Sequence, residues 1–141
     1  MTRTEAVAQP SVATGAGARR AFYLLRTVYA VAPVLFGLDK FVRVMQPDWE
    51  KYLAPWIDRI VPGTAHDAML IVGAVEVAAG LLIALYPRVG GYVVALWLAG
   101  IVVSLLSVGG YGDIVLRDLG LLAGALALAF LAADRPRPDA L

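Results

Sequence analysis

Four apolar runs, each close to twenty residues long, set the terms on which this chain can fold. They cover about residues 21–41, 68–86, 89–108 and 114–133. About 20 mostly apolar residues suffice for a helix to cross a bilayer. Composition agrees: 60% of the 141 residues are hydrophobic and 16% are charged, against about 45–50% and about 25% in a soluble domain. The expected fold is therefore all-α, an integral membrane four-helix bundle over residues 21–133. Tight breaks separate the later spans. "PRVGG" (Pro87 to Gly91) lies between the second and third, and "GGYGD" (Gly109 to Asp113) precedes the fourth. Proline removes a backbone donor and glycine loosens the chain, so both punctuate helices.

Residues 1–20 are rich in Ala, Gly, Ser, Thr and Pro without an apolar period, and read as a disordered cytoplasmic tail. Residues 134–141 read as a second cytoplasmic tail. "RRAF" (Arg19 to Phe22) before an apolar run and "AVA" (Ala30 to Ala32) have the look of a cleaved signal. Pro33 directly after the cut is a poor context, and three further spans follow, so the first helix is expected to stay. Lys and Arg gather on the cytoplasmic side of span ends. Arg3, Arg19, Arg20, Arg88, Arg135 and Arg137 against Lys40, Arg43, Lys51 and Arg59 favour N-in/C-in.

The first outer loop carries Trp49, Leu53 and Trp56 at helical spacing, with Asp48, Glu50, Lys51 and Asp58 mostly elsewhere. This predicts a short amphipathic helix on the outer leaflet, interrupted near Pro55. The plainer alternative is a polar loop capped by aromatics. The chain has no cysteine, which excludes disulfides and thiolate sites, and its one histidine, His66, leaves little for a metal. We expect no metal site. A net charge of +1 offers no basic surface to nucleic acid.

Glu76 stands alone in the middle of the second run. A charge at the bilayer centre costs about 2.5–3.5 kcal/mol on insertion scales, so it needs protein or water around it and a partner. Gly73, Glu76, Val77, Gly80 and Ala84 share a helix face, and small residues mark helix contacts in membranes. Glu76 should point into the bundle. Matching faces are Arg26, Ala30, Pro33, Gly37 and Lys40 on the first span, and Trp97, Gly100, Ser104 and Ser107 on the third. Arg117, Gly120, Gly124 and Leu128 form the face of the fourth. By helical rise, Arg26 lies about 7 Å and Arg117 about 9 Å from the level of Glu76. Both are within reach, and Arg26 is the nearer. The alternative is a protonated Glu76, because removal from water disfavours the charged form. Near the outer rim, Asp39 and Lys40 meet Asp113, Arg117 and Asp118, with Asp113 and Arg117 at i, i+4. Their plainer role is capping and interfacial anchoring.

"LLR" (Leu24 to Arg26), "FGLDKF" (Phe36 to Phe41), "GAVEVAAGLLI" (Gly73 to Ile83) and "YGDIVLRDLGLL" (Tyr111 to Leu122) resemble the DoxX-like family of small four-helix bacterial membrane proteins. The resemblance covers about residues 22 to 133. It implies both termini in the cytoplasm, the plasma (inner) membrane as location, and Arg26, Lys40, Glu76, Arg117 and Asp118 as the polar set. It also implies a link to quinone-reducing or stress-handling oxidoreductase assemblies. The function expected from these residues is a quinone-interacting or anchoring subunit of such an assembly. Glu76 would be the proton-handling, catalytic group. Arg26, Lys40, Trp97, Ser104, Arg117 and Asp118 would be the binding set. No covalent cofactor is expected; quinone would be the ligand, and electrons would come from a soluble or membrane redox partner. The alternatives are a small-solute transporter or binding protein, for which four spans would require a homodimer, and a non-catalytic scaffold docked through the outer loop.

Overall fold

Hydrocarbon offers the backbone no hydrogen bonds, so each apolar run must satisfy its N–H and C=O groups within itself. The computed structural model describes residues 13–135. In it the four runs are helices: α1 (Ala13–Val42), α3 (Ala65–Leu85), α4 (Pro87–Val108) and α5 (Gly112–Ala133). Between α1 and α3 lie a 3-10 turn at Glu50–Tyr52 and a short helix, α2 (Pro55–Ile60). No strand occurs among the described residues. All four long helices are long and apolar enough to cross a membrane. Protein buries only 17% to 39% of the residues in their most apolar windows, so the remaining surface calls for a lipid solvent. The chain is a multi-pass membrane protein with an all-α fold.

Helix α1 begins earlier than its composition suggests. Residues 13–20, expected in a disordered tail, are already helical. Extending an existing helix costs far less than starting one, and Ala13, Ala16 and Ala18 are strong helix formers. The rest of the two expected tails, residues 1–12 and 136–141, lies outside the described residues. The other ends follow local chemistry. Thr64 caps α3: its hydroxyl accepts from the Asp67 amide, while the Asp67 carboxylate accepts from the Thr64 amide at 2.8 Å. Pro87 starts α4 where its missing N–H is harmless. Gly109 and Gly110 turn the chain into α5 with φ of +79° and +81°, a region that favours glycine.

The bundle consists of two tight pairs. α1 packs mainly on α3 and α4 mainly on α5, while the seams α3–α4 and α1–α5 are slimmer. Glycines set the tight contacts. A Cβ on Gly37 would lie 2.5 Å from the Gly73 carbonyl oxygen, and one on Gly80 would lie 2.5 Å from that of Ala30. In α4, a Cβ on Gly91 would come within 2.8 Å of the Ala125 carbonyl oxygen. Near the end that holds both termini, the seams close over a core of Phe22, Tyr29, Ile83, Val94, Ala95, Ala125 and Leu128. Tyr29 of α1 donates to the Leu121 carbonyl of α5 at 2.5 Å and ties the second seam.

The obstruction at Gly80 is backbone, which cannot swing aside. Gly80→Ala should therefore destabilise the bundle by about 1–3 kcal/mol. Gly120 faces open space, so Gly120→Ala should match or exceed the native stability, since alanine is the better helix former. Thermal unfolding in mild detergent compares the two.

Candidate functional site

Glu76 lies midway along α3, and its partner is Lys40. Nζ of Lys40 sits 2.6 Å from Oε2 of Glu76. The Gly37–Gly73 contact explains the match. Lys40 is one turn beyond Gly37 and Glu76 one turn beyond Gly73. A Cβ on Gly73 would also lie 3.1 Å from that of Lys40, so Lys40 is nearly level with Gly73 and about 4.5 Å from Glu76 along the axis. The long Lys and Glu stems cover that distance. The pair is enclosed, with Lys40 side chain 4% and Glu76 14% exposed. Hydrogen bonding and opposite charge together offset the cost of taking both ions out of water.

This corrects the pairing expected from helical rise. Arg26 does not reach Glu76. Its guanidinium donates to the Ala84 carbonyl in the last turn of α3, where helix carbonyls lack intrahelical partners. Arg117 does not reach it either. It is 63% exposed and bonds Asp118 at 3.0 Å. That bond also replaces the expected Asp113–Arg117 pair. Asp118 itself is buried, at 3% exposure. The inward face of α5 thus runs through Val115, Asp118, Ala125 and Leu128, while Arg117 and Gly120 point outward. The expected face holds only from Gly124 onward: that glycine meets the Tyr29 ring.

Lys40 is covered from the loop end by Trp49, whose ring centroid lies 4.0 Å from Nζ. Such a contact attracts a cation to the ring face. Asp39 holds Trp49 in place. Its carboxylate accepts from the Trp49 indole at 3.0 Å and from the amides of Val44, Met45 and Gln46. Arg43, with φ of +55°, makes the reversal that brings these donors round. The expected amphipathic segment, interrupted near Pro55, consists of the 3-10 turn and α2, separated at Leu53 and Ala54. Together they form a strap across the end of the bundle. Tyr52 packs on Tyr111, and Trp56 donates to Ser107 at 3.0 Å. Glu50 joins Arg43 and His66.

A cavity of about 120 Å³ occupies the middle of the bundle, lined by all four long helices. Tyr29, Pro33 and Phe36 contribute from α1, Glu76 and Ala79 from α3, Trp97 and Ile101 from α4, and Leu121 from α5. Glu76 is the one carboxylate on its wall. Besides the Tyr29 hydroxyl, which is spent on Leu121, Trp97 brings a further polar group. Its indole N–H is shielded and has no hydrogen-bond partner among the described residues. Buried donors are rarely left unpaired, and each such exception calls for an explanation. Of the remaining expected site residues, Ser104 is buried, and its carbonyl accepts from Ser107. Ser104, Arg26, Arg117 and Asp118 do not line the cavity. Lys40 belongs to the site through Glu76.

Compared with protein-family models, with curated proteins and with solved structures, the chain matches none. The site must be read from its own chemistry. Glu76, paired with the Lys40 ammonium, and Trp97, whose shielded indole N–H lacks a partner, line a largely apolar space. That arrangement suits an uncharged, apolar molecule with a hydrogen-bond acceptor.

Two outcomes test this geometry. Lys40→Met strands Glu76 as an unpaired buried charge and should cost about 3–5 kcal/mol, whereas Lys40→Met with Glu76→Leu should recover much of it. Thermal unfolding of the three proteins measures the difference. The strap has an acid-sensitive lock. The Glu50 carboxyl is held below the usual carboxylate range, first by its own backbone amide, against burial, and then by His66 and Arg43. A depressed folded-state value means that Glu50 stabilises the strap fully above the ordinary carboxylate range. That contribution is lost as pH falls through the lowered value. The protection of residues 49–60 against hydrogen exchange, taken relative to the intrinsic rate at each pH, should fall over that acid window, and Glu50→Gln should remove the step.

Proposed function

We propose that the protein is a quinone-binding subunit of a membrane oxidoreductase assembly. The supporting observation is a cavity lined by both Glu76 and Trp97, whose shielded indole N–H has no partner among the described residues. A quinone carbonyl is the kind of acceptor that Trp97 lacks, and a planar ring suits walls of Tyr29, Pro33, Phe36 and Ile101. A bound quinone would take electrons from a redox partner and protons from its surroundings. Trp97 fixes one carbonyl by donating its N–H. Glu76, a carboxylate at rest, would take up a proton from water and pass it to the reduced oxygen, and Lys40, at 2.6 Å, stabilises the carboxylate before and after. Aliphatic and aromatic walls keep bulk water from the reacting oxygen.

The likeness of residues 22 to 133 to the DoxX-like pattern supports the same reading, with N-in/C-in topology in a bacterial inner membrane. In that orientation the strap faces outward. A second reading, a scaffold docking a partner through the strap, draws on the exposed Val44, Met45, Trp56 and Ile60 at that end.

Mass spectrometry of the gently solubilised protein decides between them. Quinone should co-purify with the native chain. Trp97→Phe should keep the fold and weaken binding about tenfold, the worth of one good hydrogen bond. Glu76→Gln should block reduction more than binding. A native extract without quinone, or one indifferent to Trp97→Phe, refutes the quinone reading. Capture of a partner that depends on residues 44–60 but not on Trp97 supports the scaffold.

A further inference from the structure

The cavity is too small to house a long ligand, and a second space adjoins it. A groove of about 220 Å³ runs along the slim α3–α4 seam, lined by Val75, Ala79, Val93, Leu96, Trp97 and Gly100. Ala79 and Trp97 line both the groove and the cavity. The two spaces meet at these residues. Val75, Val93 and Leu96 are exposed on the outside of the bundle, where the spans meet lipid. No groove-lining side chain is charged. The space therefore runs from the bilayer to the residue that carries the unpartnered N–H.

We propose that this groove seats a hydrocarbon tail, so that the ligand is a membrane-soluble carbonyl compound with an apolar chain. Its polar head lies in the cavity against Trp97, and its tail lies between α3 and α4. This rests on the ligand-binding reading above and adds the class of ligand and its route from the lipid. Continuity argues for this side. The opposite mouth of the cavity, at the α1–α5 seam, is tied by the hydrogen bond from Tyr29 to Leu121. Gly100 fits the role of floor: a Cβ there would meet no protein atom within 4 Å. The fold does not need glycine at this position, and a helix interior ordinarily disfavours it.

Gly100 therefore provides a test that spares the fold. Binding of a decyl-substituted benzoquinone and of the same ring without a tail is measured by titration calorimetry in mild detergent. The native protein should bind the tailed compound at least tenfold more tightly. Gly100→Leu fills the groove and should abolish that gain while leaving the tail-less ring unaffected. Val75→Phe, which fills it from α3, the opposite wall, should do the same. Unfolding temperature and native mass confirm fold and stoichiometry.

A tail gain that survives both substitutions overturns the inference and leaves the quinone reading standing. So does a gain lost only in Val28→Trp, which would place the chain at the α1–α5 mouth. Equal loss of both compounds also overturns it, because the groove would then act on the head. A change of oligomeric state in Gly100→Leu assigns the groove to a second copy instead. If the native protein binds neither compound, the quinone reading falls, and this inference with it.

Discussion

A carboxylate halfway along an apolar helix must be neutralised by something that the lipid cannot provide. In this bundle Lys40 does so, and much of the architecture can be derived from that pairing. Lipid is as apolar as leucine, so helices in a membrane are not driven together by hydrophobic burial; close packing and polar contacts decide their association. The Gly37–Gly73 approach supplies the packing, and the ion pair one turn away supplies the polar contact. Each reinforces the other. Without the glycines the helix axes would stand too far apart for Lys40 to reach. Without the pair, Glu76 would resist burial.

The tight α1–α3 pair and the glycine-set α4–α5 pair meet along slimmer seams, and the central cavity is what those seams leave open. Both ends of the cavity are closed by different means. Toward the termini, aromatic and aliphatic side chains from all four helices fill the space. Toward the loop, the strap closes the bundle with polar fastenings: Asp39 to Trp49, Trp56 to Ser107, and Tyr111 to the Lys51 carbonyl. Lys40 lies between the cavity carboxylate and this cover. The charged half of the site is thus tied to the loop, whereas Trp97 and its groove belong to the lipid-facing side.

Several of these features could be read from local sequence. The spans, the breaks at Pro87 and at Gly109–Gly110, and the interruption of the outer loop near Pro55 each depend on a few consecutive residues. So does the inward aim of Glu76, because Gly73 and Gly80 share its face. The partner of Glu76 could not be read in this way. Rise along separate helices placed Arg26 nearer than Arg117 and left Lys40 at the outer rim, because it carried no information on how α1 and α3 slide past each other. On α5, a face drawn through Arg117 rather than Asp118 is wrong by one residue, about 100° of rotation. The GxxxG spacing of Gly120 and Gly124 invited that choice, and only Gly124 meets another helix.

By itself, then, the sequence determined the number, length and solvent of the helices, since backbone satisfaction in hydrocarbon is a local requirement met segment by segment. It also determined that a buried carboxylate needed a cation. Tertiary structure alone decided that the cation is Lys40, that Arg26 serves a helix end instead, and that Trp97 faces a cavity with its N–H unspent. Those outcomes, the last meaning that Trp97 lines the cavity while its shielded N–H lacks a partner, depend on the register and rotation of one helix against another. Many simultaneous contacts set these, and no single stretch of chain encodes them.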